Sequence, residues 1–160
     1  MKNIPYNRAA AAEYALRWAL NRNPAYYDFE HIGGDCTNFV SQCIFAGCKA
    51  MNYTPDTGWY YSSLNDRAPS WTSVDYLFKF LVSNKGTGPY GVETDLNSAE
   101  IGDIIQLATG DYFHHSCIIT SFRNSSPLVC AHTFDVRNKP LYMYEYDQIR
   151  TVHIQGARGY

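Results

Sequence analysis

Apolar positions recur along this chain with two different periods, and the change falls near residue 86. Ala12, Ala15, Leu16 and Ala19 stand at i, i+3, i+4 and i+7. They predict a helix over about residues 8–22, capped by Asn7 and ended by Asn23-Pro24. Phe39, Val40, Cys43, Ile44 and Ala46 repeat at near-helical spacing. They predict a second helix over about 36–45, entered through a Gly33-Gly34 turn and stopped at Gly47. Val74, Leu77, Phe78, Leu81 and Val82 form a third stripe, read as core packing. Thr72-Ser73-Val74-Asp75 precedes it as a capping box with Asp in place of Glu, and Asn84-Lys85-Gly86 ends it. Beyond the turn-rich 86–91 the runs become short and β-branched or aromatic: 103–107, 116–121, 128–133, 141–146 and 151–155. Gly, Asn, Ser and Pro separate them, which predicts an antiparallel sheet of about five strands. Residues 47–72 show no period and read as a long loop carrying Trp59-Tyr60-Tyr61 and Pro69-Ser70-Trp71-Thr72. Helices first and strands second is the α+β pattern, and 160 residues suit a single domain over 1–160.

Composition narrows the class. A net charge of −2 gives no electrostatic footprint for nucleic acid. No apolar run approaches the ~18 residues of a membrane span. No basic segment leads into an apolar run at the N-terminus, so no signal peptide is visible. The expectation is synthesis in the cytoplasm, with non-standard export or release by lysis left open. Five cysteines, an odd count without compact spacing, read as free thiols. Cys43, Cys48, Cys117 and Cys130 read as core thiols. No cofactor is implied, and oligomeric state is not legible.

Cys36 stands apart because it follows two glycines at a helix start. Unpaired N–H groups and the positive end of the helix dipole favour thiolate there, and a nearby imidazolium would favour it further. Among five histidines, His31 and His153 read as incidental. His114 and His115 open the second predicted strand, and His132 ends the third. Alternation puts His115, Cys117 and Ile119 on one face, and Leu128, Cys130 and His132 on one face. Antiparallel pairing of these strands then makes His115 and His132 neighbours, converging on Cys36 as nucleophile, base and orienter. A slip of one residue would select His114 instead. Asp135, Asn138 and Asp111 are rival orienters. A metal set of Cys36, His115 and His132 is the weaker reading, since the close ligand pairs of structural zinc sites are missing. Trp59, Tyr60, Tyr61 and Trp71 serve either as a ligand platform or as the cover of a long loop.

The stretch Gly34-Asp35-Cys36-Thr37-Asn38-Phe39-Val40-Ser41-Gln42 resembles the nucleophile helix of the bacterial "Putative amidase domain" family, papain-like hydrolases related to NlpC-type and CHAP peptidases. Gly58-Trp59, Ser70-Trp71-Thr72, Gly102-Asp103-Ile104-Ile105, His115-Ser116-Cys117-Ile118-Ile119-Thr120 and Ala131-His132-Thr133-Phe134-Asp135 follow in the family's order. The resemblance implies a papain-like fold, with the nucleophile helix packed on the antiparallel sheet. It implies hydrolysis of an amide bond in a cell-wall peptide by Cys36, with His115 as base and His132 as its orienter. The Cys36 N–H would donate to the oxyanion, with Tyr26 or Tyr27 as second donor. Asp35 would either anchor a substrate amine or cap the helix. Acyl transfer to an amine uses the same residues. A peptide- or glycan-binding module with a vestigial site is the alternative from another class.

Overall fold

A computed structural model describes residues 1–160. Its elements run β1 Lys2–Ile4, α1 Arg8–Trp18, α2 Cys36–Cys48, β2 Tyr61–Ser63, β3 Asp66–Arg67, α3 Pro69–Thr72, α4 Val74–Ser83, β4 Gly88–Thr94, β5 Ile104–Thr109, β6 Tyr112–Arg123, β7 Ser126–Ala131, β8 Val136–Pro140 and β9 Gln148–Gly159. The fold is α+β, built on one large antiparallel sheet. The sheet has seven strands rather than five, ordered β1-β9-β5-β6-β7-β8, with β4 also paired to β9. β1, β4 and β8 are the additions. β4 falls partly in a segment that its glycines and proline mark as turn, yet it pairs with β9 from Thr151 to Arg158. Conversely, the run at 141–146 is no strand: Leu141–Met143 is a 3₁₀ turn, and only Leu141 is buried. The long loop 47–72 is held by a β2–β3 hairpin, an Asn52–Trp59 bridge and the single turn of α3.

The helices pack on one face of the sheet. Ala11, Ala15 and Ala19, then Phe39, Val40, Cys43 and Ile44 of α2, and Leu77, Phe80 and Leu81 of α4 meet Ile104, Ile118, Cys130, Val152 and Ile154. The small side chains of α1 let it approach α2 closely. Gly47 contributes to that approach: a Cβ there would stand 2.5 Å from the Tyr6 ring. It does not end α2, which runs on to Cys48 and closes with Lys49 at φ 55°. In α4 the inward face is Leu77, Phe80 and Leu81, while Val82 points to solvent. The opposite face of the sheet holds a smaller core of Ile105, Leu107, Cys117, Ile119, Val129, Ala131 and Leu141. The central strands are thus apolar on both faces, so their sequences show little alternation.

Asp103 fixes the entry to β5. It is fully buried and accepts from Arg8 at 2.7 Å, His153 at 2.9 Å and the amides of Glu100 and Ile154. His153 therefore has a structural partner.

Candidate active site

Cys36 is the first residue of α2, and the chain reaches it through Gly33 at φ 83° and Gly34 at φ 97°. Those angles are open to glycine and costly for other residues. The turn is braced from the β7–β8 connection. Thr133 Oγ1 accepts the Asp35 amide at 3.0 Å and lies where a Cβ on Gly34 would come within 3.3 Å. Thr133 and Phe134 themselves sit at φ 60° and 57°. A β-branched residue is strained there, and that strain falls directly against the cysteine turn.

Every residue of α2 from Cys36 to Ile44 is buried, so its polar side chains require internal partners. Each has one. Thr37 meets Ser116 at 3.0 Å. Asn38 accepts from the Trp71 indole at 2.9 Å and donates to Tyr27 O and Asp35. Ser41 donates to Trp71 O and accepts from the Trp59 indole at 3.1 Å. Gln42 accepts from Tyr14 at 2.5 Å. The polar half of the cysteine motif is the socket into which the two tryptophans lock.

Trp59 and Trp71 are accordingly core residues, both 0% exposed, and form no ligand platform. Tyr26 does not reach the cysteine cavity; its ring packs on Tyr61 and stacks on Trp71 at 6.0 Å. Trp71→Ala is expected to lower stability by about 3–5 kcal/mol, the range for deleting a large buried ring. Urea denaturation measures it, and a midpoint equal to wild type would contradict the placement.

Asp35 stands at the N-cap position of α2, but its side chain makes no capping bond and lines neither recess beside Cys36. Its carboxylate is buried and accepts from the Phe29 amide at 2.8 Å and from Asn38. The other oxygen meets His132 Nδ1 at 2.5 Å. His132 Nε2 faces Trp18 O at 2.7 Å, and its ring stacks on Phe39. His132 thus ties α1, α2 and β7 together and makes no bond to His115. The register explains why. Ile118 pairs Cys130 and Ile119 pairs Val129, so His132 falls on the helix-packed face with Cys130. His115 pairs Leu107 and shares the opposite face with Cys117 and Ile119. Alternation within each strand is as expected, but the pairing between them is offset by one. The rival orienters are engaged elsewhere: Asp135 with Arg22, Asn138 with Thr120, and Asp111 with Gln148. Cys36, His115 and His132 do not converge as a ligand set.

Cys36 and His115 nevertheless line one cavity, of about 380 Å³, with Leu107, Lys139, Tyr144 and Glu145. β7 ends at Ala131, and the chain then turns away. The end of the sheet is thereby left open beside the start of β6, and the thiol reaches the backbone of His114 there at 4.0 Å. His115 Nε2 is buried without a hydrogen-bond partner, and its ring lies 5.6 Å from that of Tyr144. His114 is the extra residue of a bulge between Leu107 and Ala108; its Nε2 is bonded to Thr109 and the residue is exposed. A second recess of about 200 Å³ adjoins Cys36 on the other side, lined by Thr72, Ser73, Asp75, Tyr112 and Phe113. Cys36 therefore lies midway along a cleft. Tyr144 and Glu145 escaped sequence reading because 141–146 carries a strand-like pattern, and Lys139 because it lies in β8, which no period marked as a strand.

Burial sets the charge state of the pair. It pushes the Cys36 thiol above its usual range, against bonds from Ser116 and Thr37 that pull the other way. It lowers His115 to about 4, with His114 and Lys139 adding repulsion. The resting pair is thiol and neutral imidazole, where the dipole argument expected an ion pair. Above the unfolded value near 6.5 His115 is neutral in both states. As pH falls from there to about 4, the unfolded chain takes a proton that the folded chain refuses. Stability is lost across that window, by roughly 2–3 kcal/mol. His115→Gln is expected to flatten the loss. Equal acid sensitivity of the two proteins in denaturant titrations from pH 7 to 4 would refute it.

The chain belongs to the "Putative amidase domain" family, which it matches over residues 5–155. It is 33% identical over 160 residues to the uncharacterized protein YhbB of Bacillus subtilis, covering 95% of this chain and 49% of that one. It is 26% identical over 147 residues to the uncharacterized protein YjcM of the same organism, covering 84% and 32%. The chain thus spans half or less of the length of these relatives. No solved structure matches it significantly.

Proposed function

We propose that the protein is a cysteine amidase of papain-like type that cleaves an amide bond in bacterial cell-wall peptides, with Cys36 as nucleophile and His115 as its base. The observation carrying this reading is a buried, unpartnered imidazole nitrogen in the same cavity as a thiol at a helix start. A buried polar atom without a partner is costly unless a reacting group supplies one. Membership of an amidase family supports the reaction class, and a cleft running to both sides of Cys36 suits an extended peptide.

The sulfur attacks the carbonyl carbon as its proton passes to His115. The tetrahedral oxyanion faces the Cys36 amide, one of the first N–H groups of α2 and so without an intrahelical acceptor. Collapse breaks the C–N bond, and His115 returns the proton to the departing amine. Water, deprotonated by His115, then cleaves the thioester and restores the thiol. His132 acts at a distance from this chemistry, holding the start of α2 through Asp35.

The test is incubation with stem peptides released from purified peptidoglycan, read by mass spectrometry for a new amine and a new acid. Wild type is expected to produce both and Cys36→Ala neither. Equal products from the two proteins would remove Cys36 from the mechanism.

A further inference from the structure

Lys139 is a half-buried residue of β8 whose ammonium lies 3.9 Å from the centre of the Tyr144 ring. No ion pair in the structure involves it, although Arg8, Arg22 and Arg150 each have a carboxylate partner. Arg22 alone faces Asp28, Glu30, Asp35 and Asp135. Lys139 lines the cavity shared by Cys36 and His115, and Glu145, the one carboxylate there, does not pair with it. Glu145 is exposed, so water screens it more strongly than the half-buried ammonium. The recess on the other side of Cys36 carries Asp75, already neutralised by Arg150 at 2.8 Å. The cleft is therefore electrostatically asymmetric. One side offers an uncompensated cation on an aromatic ring, and the other offers hydroxyls.

We infer that Lys139 is a specificity-determining residue that receives a carboxylate of the substrate, so that the preferred amide belongs to an acidic amino-acid unit with a free carboxylate near the scissile bond. The Tyr144 ring holds the ammonium in place by cation–π attraction while leaving its N–H donors to a ligand. A carboxylate entering beside Cys36 would gain a charge-assisted hydrogen bond that a carboxamide cannot make. The inference rests on Cys36 being the reactive thiol.

Two alkylating probes of nearly equal size separate the ideas: iodoacetate, which carries a carboxylate, and iodoacetamide, which does not. Labelling of Cys36 is followed by peptide mass spectrometry at mildly alkaline pH and low ionic strength, and each rate is divided by that for glutathione. The normalised iodoacetate-to-iodoacetamide ratio is expected to exceed one by about tenfold, the scale of an unpaired charge several ångströms away in a partly dry cavity. Lys139→Gln should bring the ratio to one or below, Lys139→Arg should keep it, and Glu145→Gln should raise it. A ratio that is the same in wild type and Lys139→Gln overturns the role of Lys139 and leaves the nucleophile standing. If neither reagent labels Cys36 in the folded protein while both label the denatured chain, the nucleophile assignment fails and this inference with it.

Discussion

Replacing Cys36 by alanine is expected to reduce amide hydrolysis at least about 10⁴-fold, or about 5.5 kcal/mol in the barrier, with little change in folding stability. The sulfur forms the covalent intermediate, so nothing remains to carry the acyl group once it is gone. Its loss costs the fold little because its contacts are weak: Thr37 Oγ1 at 3.7 Å and His114 O at 4.0 Å. His115→Ala should cost roughly 10²–10⁴-fold, the range for a positioned acid–base group. His114→Ala should change turnover little, since that ring is exposed and bonded to Thr109. The measurement is the rate of amine release from stem peptides for the three variants, with thermal unfolding run alongside. Wild-type turnover in Cys36→Ala would end the cysteine mechanism. Turnover lost in His114→Ala but kept in His115→Ala would move the base to the bulge residue.

Asp35→Ala is expected to disrupt the fold as strongly as Trp71→Ala, lowering stability by about 3–5 kcal/mol, the cost of stranding one partner of a buried pair. The carboxylate has three hydrogen-bond partners, the Phe29 amide, the Asn38 side chain and His132 Nδ1, and the Arg22 guanidinium stands 3.7 Å away. The Phe29 amide and His132 Nδ1 would lose their acceptor in a buried region, and Asn38 would keep only Tyr27 O. Stability of a domain is commonly only 5–15 kcal/mol, so such a loss consumes a large share of it. Asp35→Asn, which keeps one acceptor oxygen, should lose less. Urea denaturation decides it: an unchanged midpoint for Asp35→Ala would show that the network contributes nothing net. The placement also separates two roles by readout. Asp35 and His132 variants should lose activity in step with folded fraction, whereas Cys36 and His115 variants lose it while folded.

The local features of the sequence carried over into structure where the physics is local. Asn7 caps α1 through the Ala10 amide at 2.9 Å, whereas α4 is capped by Ser73, one residue past the Thr72 that opens the capping box, because Thr72 closes α3. Gly33 and Gly34 take the positive φ that their position before Cys36 requires. The strands β5, β6 and β7 lie at the predicted runs, and Cys36 and His115 share a cavity. The failures have a common cause. β1 and β4 are too short or too rich in glycine to show a period, and they become strands by pairing with the long β9. Trp59 and Trp71 read as a ligand platform or as the cover of a long loop, and no periodicity could show that their indoles bond Ser41 and Asn38.

The sequence by itself determined where helices begin, which residues alternate within a strand, and that a reactive-looking thiol opens a helix. Those properties depend on neighbours a few residues apart and on backbone angles. Only the tertiary structure decided the register between β6 and β7, and with it the separation of His132 from His115 onto opposite faces. Register is set by how two whole strands fit a helix layer and each other, and an offset of one residue reverses every side chain. The same fit turned His132 and Asp35 into a buried brace and brought Lys139 into the cavity that the thiol lines.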